Sequence, residues 1–235
     1  MKCLFPRPSA GPLEAVLVNT AGGITGGDHF STRASAGPNT SLVIATQAAE
    51  RAYRARPGET GRQRTELNVD AGARIDWLPQ ETILFDGCAF DRKLTLTLDR
   101  GASALVVESL VFGRTAMGED VQHGQFHDRI EIRRSGAPLY LDASRYPASI
   151  AAHLDRPTVA NGARAMATLV YIAPDAEAHL TPIRDHLPER AGASLIGRDV
   201  LALRLLAADG YALRQSLVPI VTRLSRDRLP RCWMI

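Results

Sequence analysis

Lysine is nearly missing from this chain of 235 residues: of its 28 cationic side chains, all but Lys2 and Lys93 are arginine. Those cations are scattered and form no run of five or more, so a basic arm for nucleic acid is not expected. Cysteine is scarce as well. Cys3, Cys88 and Cys232 are odd in number, far apart, and make no CxxC spacing, which excludes a disulfide framework and a zinc finger. No apolar run approaches the roughly 20 residues of a membrane span, and no secretory signal marks the start. The expected compartment is therefore the cytoplasm. The six histidines make no HxH or HExxH pair, and no GxSxG elbow occurs, so zincin and serine-hydrolase chemistry lack their usual motifs.

What is present is an ordinary globular composition, 45% hydrophobic and 23% charged with net charge +3, enough for one large domain or two small ones. Arginine pairs carboxylates in a bidentate fork better than lysine does, which suits protein interfaces. The stretch that organises the chain is Leu78-Pro79-Gln80-Glu81-Thr82-Ile83-Leu84-Phe85-Asp86-Gly87. Pro79 cannot donate to a strand ladder and should end or bulge the strand before it. Asp86-Gly87 is a turn signal. Two acids around an apolar core read either as a shaped corner facing water or as a functional site, with the corner favoured.

From residue 12 to 145 the pattern is strand upon strand. Glu14 to Asn19 and Ser41 to Gln47 are apolar runs. Gln63 to Val69 and Ala73 to Trp77 are expected to form a hairpin around Asp70-Ala71-Gly72. Lys93 to Asp99 alternates, and is expected to be a half-buried antiparallel strand. Ser103 to Phe112 is more apolar and encloses Glu108, a carboxylate that must be paired, hydrogen-bonded or aimed at water. Phe126 to Arg134 alternates again, with Phe126, Asp128, Ile130, Ile132 and Arg134 on one face. The expectation is a mainly β, layered, largely antiparallel scaffold. The last third, 160 to 235, reads as a β-α-β-β-α succession: a strand at Ala165 to Ala173, a short helix at Asp175 to Leu187, two strands, and a helix from Gly210 to Arg226. Leu213, Leu217, Ile220, Val221 and Leu224 form the apolar face of that helix. The apolar tail from Leu229 to Ile235 should dock on the body. No linker or repeat divides the chain, so a single domain over 1–235 is expected.

Chemistry is sparse. Asn19 to Asp28 holds Gly22, Gly23, Gly26, Gly27 and Asp28, but neither GxGxxG nor a P-loop, and a close-packed turn is preferred to a nucleotide site. His123 and His127 flank a turn entering a strand and read as exposed rather than metal-binding. Cys88 reads as a core residue. The pairs Glu81 with Asp86 and Glu108 with Glu119 would serve acid–base work only if they converge. A hydrolase or isomerase at the Glu81/Asp86 corner, and a β-rich interaction module with no metal role, are the alternatives to the reading that follows.

Six blocks, in order, resemble the urease accessory protein UreD (UreH) family: LVNTAGGITGGD at Leu17 to Asp28, TQAAERAYR at Thr46 to Arg54, DWLPQETILFDG at Asp76 to Gly87, ESLVFGRTAMGE at Glu108 to Glu119 with Arg114 in its loop, GARAMATLVYIA at Gly162 to Ala173, and LPRCW at Leu229 to Trp233. The resemblance implies a scaffold without catalysis of its own. It implies binding to UreF, to the GTPase UreG and to apo-urease, in a two-fold assembly that inserts nickel with GTP hydrolysis in UreG. No cofactor is implied as resident; nickel is implied in transit, through a water-filled passage. Glu81, Asp86, Glu108 and Glu119 are the candidate acids for lining or supporting that passage. Family members usually carry several dozen residues ahead of the Leu17 block, whereas this sequence starts almost at it, so the expectation is either that the start has been assigned too far downstream or that the family's N-terminal strands are missing.

Overall fold

The structure, a computed structural model, describes residues 1–7, 11–114, 117–146 and 149–234. The first two-thirds of the chain builds twelve strands: β1 (Lys2–Leu4), β2 (Leu13–Val18), β3 (His29–Ala36), β4 (Ser41–Thr46), β5 (Glu50–Ala52), β6 (Gly61–Val69), β7 (Arg74–Leu78), β8 (Thr82–Leu84), β9 (Cys88–Leu98), β10 (Ser103–Phe112), β11 (Gly124–Arg134) and β12 (Ala137–Tyr146). A short helix α1 (Ile150–Asp155) leads into β13 (Ala165–Ile172), α2 (Ala176–Arg184), β14 (Ala191–Ile196), β15 (Val200–Ala207) and α3 (Gly210–Leu224). The mainly β expectation and the C-terminal β-α-β-β-α order both hold. Helix α1 was not expected from sequence.

Two sheets stack face to face. The ten-stranded sheet runs β1-β2-β4-β7-β10-β13-β15-β14, with β8 beside β10 and β5 beside β8. The five-stranded sheet runs β12-β11-β9-β6-β3.

The pairing direction corrects the sequence reading. Among the described residues eight of the thirteen strand pairings are parallel, not antiparallel. The cause is the path of the chain. From β2 to β11 it winds between the two sheets: β2 is in the large sheet, β3 in the small, β4 in the large, β6 in the small, β7 in the large, β9 in the small. Consecutive strands thus face each other across the sandwich, and each partner in a sheet is reached after a visit to the other sheet. A parallel pair needs a crossover, and here the crossover is a strand of the opposite sheet. For the same reason β6 and β7 do not form the expected hairpin. The Asp70-Ala71-Gly72 turn passes the chain between sheets, and β9 is half-buried but lies parallel to both β6 and β11. A hairpin at Ser135-Gly136 joins β11 to β12.

Helices α2 and α3 cover the outer face of the large sheet. The expected α3 stripe, Leu213, Leu217, Ile220, Val221 and Leu224, is buried there against Leu169, Tyr171, Leu203 and Leu205. The carboxylate of Asp209 accepts the Ala212 N–H at 2.8 Å and caps the start of α3. At the other end Arg74 donates to the Leu224 carbonyl at 2.8 Å, a cation at a helix C-terminus. Burial tends to keep the Asp76 carboxyl protonated, opposed by Arg74, which grips it in two hydrogen bonds of 2.8 and 3.2 Å.

The tail docks as expected, and it docks on the organising corner. Trp233 is 4% exposed and donates its indole N–H to the Leu78 carbonyl at 2.9 Å. Gln80 donates to the Cys232 carbonyl at 2.9 Å and accepts from Arg214, which also bonds the Trp233 carbonyl and lies over its ring. Pro79 thus ends β7 where the tail, α3 and the corner meet. Replacing Trp233 by Ala removes a buried indole and orphans the Leu78 carbonyl, and should cost about 3–5 kcal/mol. Met234→Ala, at an exposed side chain, should stay within about 0.5 kcal/mol of wild type. Urea midpoints at unchanged m-value read both; equal midpoints for the two variants would contradict the docking.

Candidate functional site

On four strands of the sandwich the inward side chains are apolar on either side of a polar one. On β9 the series is Phe90, Arg92, Leu94; on β10 it is Val106, Glu108, Leu110; on β11 Phe126, Asp128, Ile130; on β13 Met166, Thr168, Val170. The interruption separates two apolar clusters. One holds Trp77, Leu94, Val106, Ile130 and Val170, the other Phe90, Leu110, Phe126, Tyr146 and Met166. Strand register aligns the polar residues into rows. In the small sheet Gln63, Arg92, Asp128 and Ser144 stand opposite one another across β6, β9, β11 and β12. In the large sheet Glu108, Thr168 and Arg204 do the same across β10, β13 and β15.

Two ion pairs cross the gap, one between members of the two rows and one from Arg204 to Asp142, two residues before Ser144 on β12. Arg92, 5% exposed, donates to Glu108 Oε2 at 2.5 Å and holds Asp128 with two bonds of 2.9 and 2.7 Å. It also reaches Thr82 Oγ1 at 3.3 Å. The other Glu108 oxygen accepts the Trp77 indole N–H at 2.8 Å. Further along, Arg204 pairs with Asp142. Burial pulls the Arg92 guanidinium towards its neutral form, but Asp128 and Glu108 together outweigh it and hold the charge. Burial pushes the Glu108 carboxyl up, against the Arg92 charge, and the nearby Asp128 adds to the rise. A buried charge needs such partners, because an unpaired one is costly in a low-dielectric interior.

A cavity lies at each end of the rows. The first, about 350 Å³, reaches Gln63, Trp77, Thr82, Arg92 and Glu108 on its inner side. Its outer wall includes Asn19 and Glu50, where the Asn19 amide donates to both Glu50 oxygens at 3.0 Å. Gln63 Oε1 is buried and has no protein donor among the described residues. The second, about 280 Å³, is lined by Ser144, Tyr146, His153, Met166 and Arg204. Burial lifts the Tyr146 hydroxyl to about 12, so it stays a neutral donor, directed at the Met166 sulfur 3.6 Å away.

The four candidate acids fall in three places. Glu108 is at the centre of the polar layer. Asp86 and Glu119 meet at a surface corner: Asp86 accepts from Arg54 at 2.8 Å and from the His123 N–H at 2.7 Å, while its own N–H donates to Glu119 at 3.1 Å. Arg114 donates to Glu119 at 2.5 Å and lies over the Phe85 ring. Glu81 faces a small hollow beneath α3 with Ser109 and Arg214. Among the described residues Glu81 and Asp86 share no partner, nor do Glu108 and Glu119. The glycine loop is the close-packed turn expected. Gly22 and Gly27 have positive φ of 84° and 85°, Asp28 accepts the Thr25 N–H at 2.9 Å, and Gly26 abuts Glu59. A side chain at Gly23 would stand 2.4 Å from the Tyr53 ring. Cys88 sits in the core with its thiol pushed up to about 12 by burial, hence unreactive at neutral pH. Among the described residues no three His, Cys, Asp or Glu side chains converge as a metal cage, and no helix is long and apolar enough to cross a membrane.

Arg92, Asp128, Thr168, Ser144 and Arg204 escaped the sequence reading. The signal was there for two of them. Asp128 shares the face of Phe126, Ile130 and Ile132, and extending the β9 alternation back two residues puts Arg92 on the leucine face. A charge on an apolar face calls for a partner.

A two-sheet scaffold wound from alternating strands, with a buried charged layer and no convergent catalytic cluster among its described residues, is the class of protein these features define. A family model described as UreD urease accessory protein matches residues 1–234. The chain is 58% identical to the urease accessory protein UreD of Ruegeria pomeroyi, covering 100% of this chain and 91% of that protein. It is 51% identical to that of Roseobacter denitrificans and 45% to that of Mesorhizobium japonicum, covering all of this chain and 86% and 85% of theirs. The chain belongs to the UreD family of urease accessory proteins, whose role is in urease maturation.

Arg92→Met leaves Glu108 and Asp128 facing each other without their cation and should cost about 3–5 kcal/mol at neutral pH. The loss should depend on pH. With its folded-state value raised above the unfolded one, Glu108 binds a proton more tightly in the folded chain, so acid relieves the penalty and rising pH deepens it. The gap in urea midpoint between Arg92→Met and wild type should therefore narrow as pH falls from neutral towards the ordinary carboxylate range. A gap constant over that interval would contradict the assignment.

Proposed function

We propose that this protein is a non-catalytic scaffold of urease maturation, which binds UreF, UreG and apo-urease in the cytoplasm and gives nickel a route through its inter-sheet polar layer. GTP hydrolysis belongs to UreG. The observation that carries the reading is the layer itself: two polar rows, with Arg92–Glu108 and Arg204–Asp142 crossing the gap and a cavity at each end. A core built only for stability has no need of such a seam, since apolar side chains of similar volume are as good or better.

The donor chemistry suits cargo that must leave again. Carboxylate, amide and hydroxyl oxygens line the rows, from Glu108, Asp128, Gln63, Thr168 and Ser144. Ni²⁺ binds nitrogen- and sulfur-rich sites tightly, so an oxygen-lined path favours transit over capture. Arg92 offsets one of the two central carboxylates, leaving the Glu108–Asp128 pair an excess of one negative charge that attracts a cation without trapping it. The enzymatic alternative loses its basis, because among the described residues Asp86 is tied to Arg54 and the His123 N–H at the surface while Glu81 faces a different hollow. Asp86 and Glu119, tied to Arg54 and Arg114 at the surface, act in this reading as supports for the corner.

Glu108→Gln and Asp128→Asn, each isosteric, should leave binding to UreF intact and lower the nickel content of urease. If these carboxylates lower the highest barrier on the route by about 1.4 kcal/mol, delivery slows about tenfold. Nickel per urease active site by elemental analysis, beside co-elution with UreF, reads both effects. Normal nickel content in both variants would overturn the route, and fully loaded urease in a strain lacking this chain would overturn the function.

A further inference from the structure

The outer face of the five-stranded sheet is bare and basic. Among the described residues the helices pack elsewhere: α2 and α3 on the large sheet, α1 at the end of the sandwich. Four of the strands, β3, β6, β9 and β11, are mutually parallel, and parallel strands are rarely left with one face in water.

The charge on this face is lopsided. Arg33 comes from β3, Arg62 and Arg64 from β6, and Lys93 from β9. Strand β11 adds Arg129 and Arg133, and β12 adds Arg145. Against these seven cations stand three outward carboxylates, Glu66, Asp91 and Glu131. The surplus of four is set against +3 for the whole chain, so the rest of the molecule is close to neutral. Each carboxylate is already engaged within the sheet: Glu66 with Arg33 at 2.7 Å, Asp91 with Arg64 at 2.7 Å, and Glu131 with Lys93, Arg129 and Arg133. Arg62 and Arg145 are exposed and outside these pairs. Two hollows, about 350 and 530 Å³, flank the Arg64–Asp91 pair. Arg129 and Arg145 line the first, Arg33 and Arg62 the second.

We propose that this face docks an acidic protein surface, with carboxylates of the partner entering the two arginine-lined hollows. Guanidinium forks match carboxylates in bidentate geometry, and one-signed patches steer a complementary partner. The three interspersed carboxylates argue for a protein over a polyphosphate or an anionic membrane: they would repel a continuous negative surface, but can accept from a partner's own basic groups. The proposal rests on the maturation role above, in that the docked protein belongs to the same assembly.

The test uses the full chain and three probes, purified apo-urease, UreF and UreG of the same organism, each at low and at high salt. The variant is Arg62→Glu with Arg129→Glu and Arg145→Glu; the control is Arg198→Glu, exposed and outside this sheet. Binding to one of the three probes should weaken about tenfold or more in the triple variant, keep its wild-type strength in the control, and fall with salt in the wild type. Should the charge reversal fail to fold, the corresponding glutamine triple carries the test with a smaller loss for the same probe. Wild-type affinity of the triple variant for all three probes would overturn the docking surface. So would tighter wild-type binding to phosphatidylserine vesicles or duplex DNA than to any of the three proteins. A wild-type chain that binds none of the probes instead overturns the maturation role, and the docking falls with it. The two failures are distinct, since one appears in the wild type and the other only in the variant.

Discussion

Arg92 held between Glu108 and Asp128 is the interaction on which the rest of the molecule turns. Here a strand of the small sheet reaches both a neighbour in its own sheet and, across the gap, the middle of the large one. Its three partners come from β8, β10 and β11. Such a cluster is weak as cement, since desolvation offsets much of the Coulomb attraction. It is strong as a constraint. With a guanidinium that must stay charged and two carboxylates that must be reached, β9, β10 and β11 can adopt only one relative register. A slip of one residue would turn Arg92 outwards and bury Asp91 or Lys93.

The winding path makes that constraint available. In an ordinary antiparallel sandwich, neighbours in sequence are neighbours in a sheet. Here neighbours in sequence face each other across the core, so β9 and β10 bring Arg92 and Glu108, sixteen positions apart in the chain, together across the gap. The same winding brings Gln63, Arg92 and Asp128 of β6, β9 and β11 to a common level, while β3 places Phe30 there. After β11 the winding stops, the pairing becomes antiparallel, and the C-terminal β-α-β-β-α unit closes the large sheet and continues its row through Thr168 and Arg204.

Elements with strong local patterns were legible in the sequence. The alternation of β9 and β11, the apolar stripe of α3 and the docking of the tail at Trp233 each follow from side chains within a few residues of one another. Strand direction was not, because short spacing suits a hairpin and a sheet-to-sheet crossing equally well, and nothing in Asp70-Ala71-Gly72 distinguishes them. The candidate site was half legible. Glu108 stands out as a carboxylate inside an apolar run. Its true partners, Arg92 and Trp77, come from strands whose alignment depends on the winding, so residue type and spacing could not pair them. The acid pairs read from sequence, Glu81 with Asp86 and Glu108 with Glu119, do not converge; the two acids that do meet are Asp86 and Glu119, which lie 33 residues apart and are brought together only by the fold.

The cost of the layer explains its composition. If the purpose were cohesion alone, methionine or leucine at Arg92, Glu108 and Asp128 would fuse the two apolar clusters into one and avoid desolvating three charges. The sandwich instead keeps two smaller cores, each built around aromatic or branched side chains, and joins them through groups that border a cavity at each end. Stability is then supplied elsewhere, by α2 and α3 on the outer face of the large sheet and by the tail clamped at Leu78 and Gln80. That division of labour lets the inter-sheet gap remain polar: the helices and tail hold the large sheet from outside, so the inside is free to carry charge.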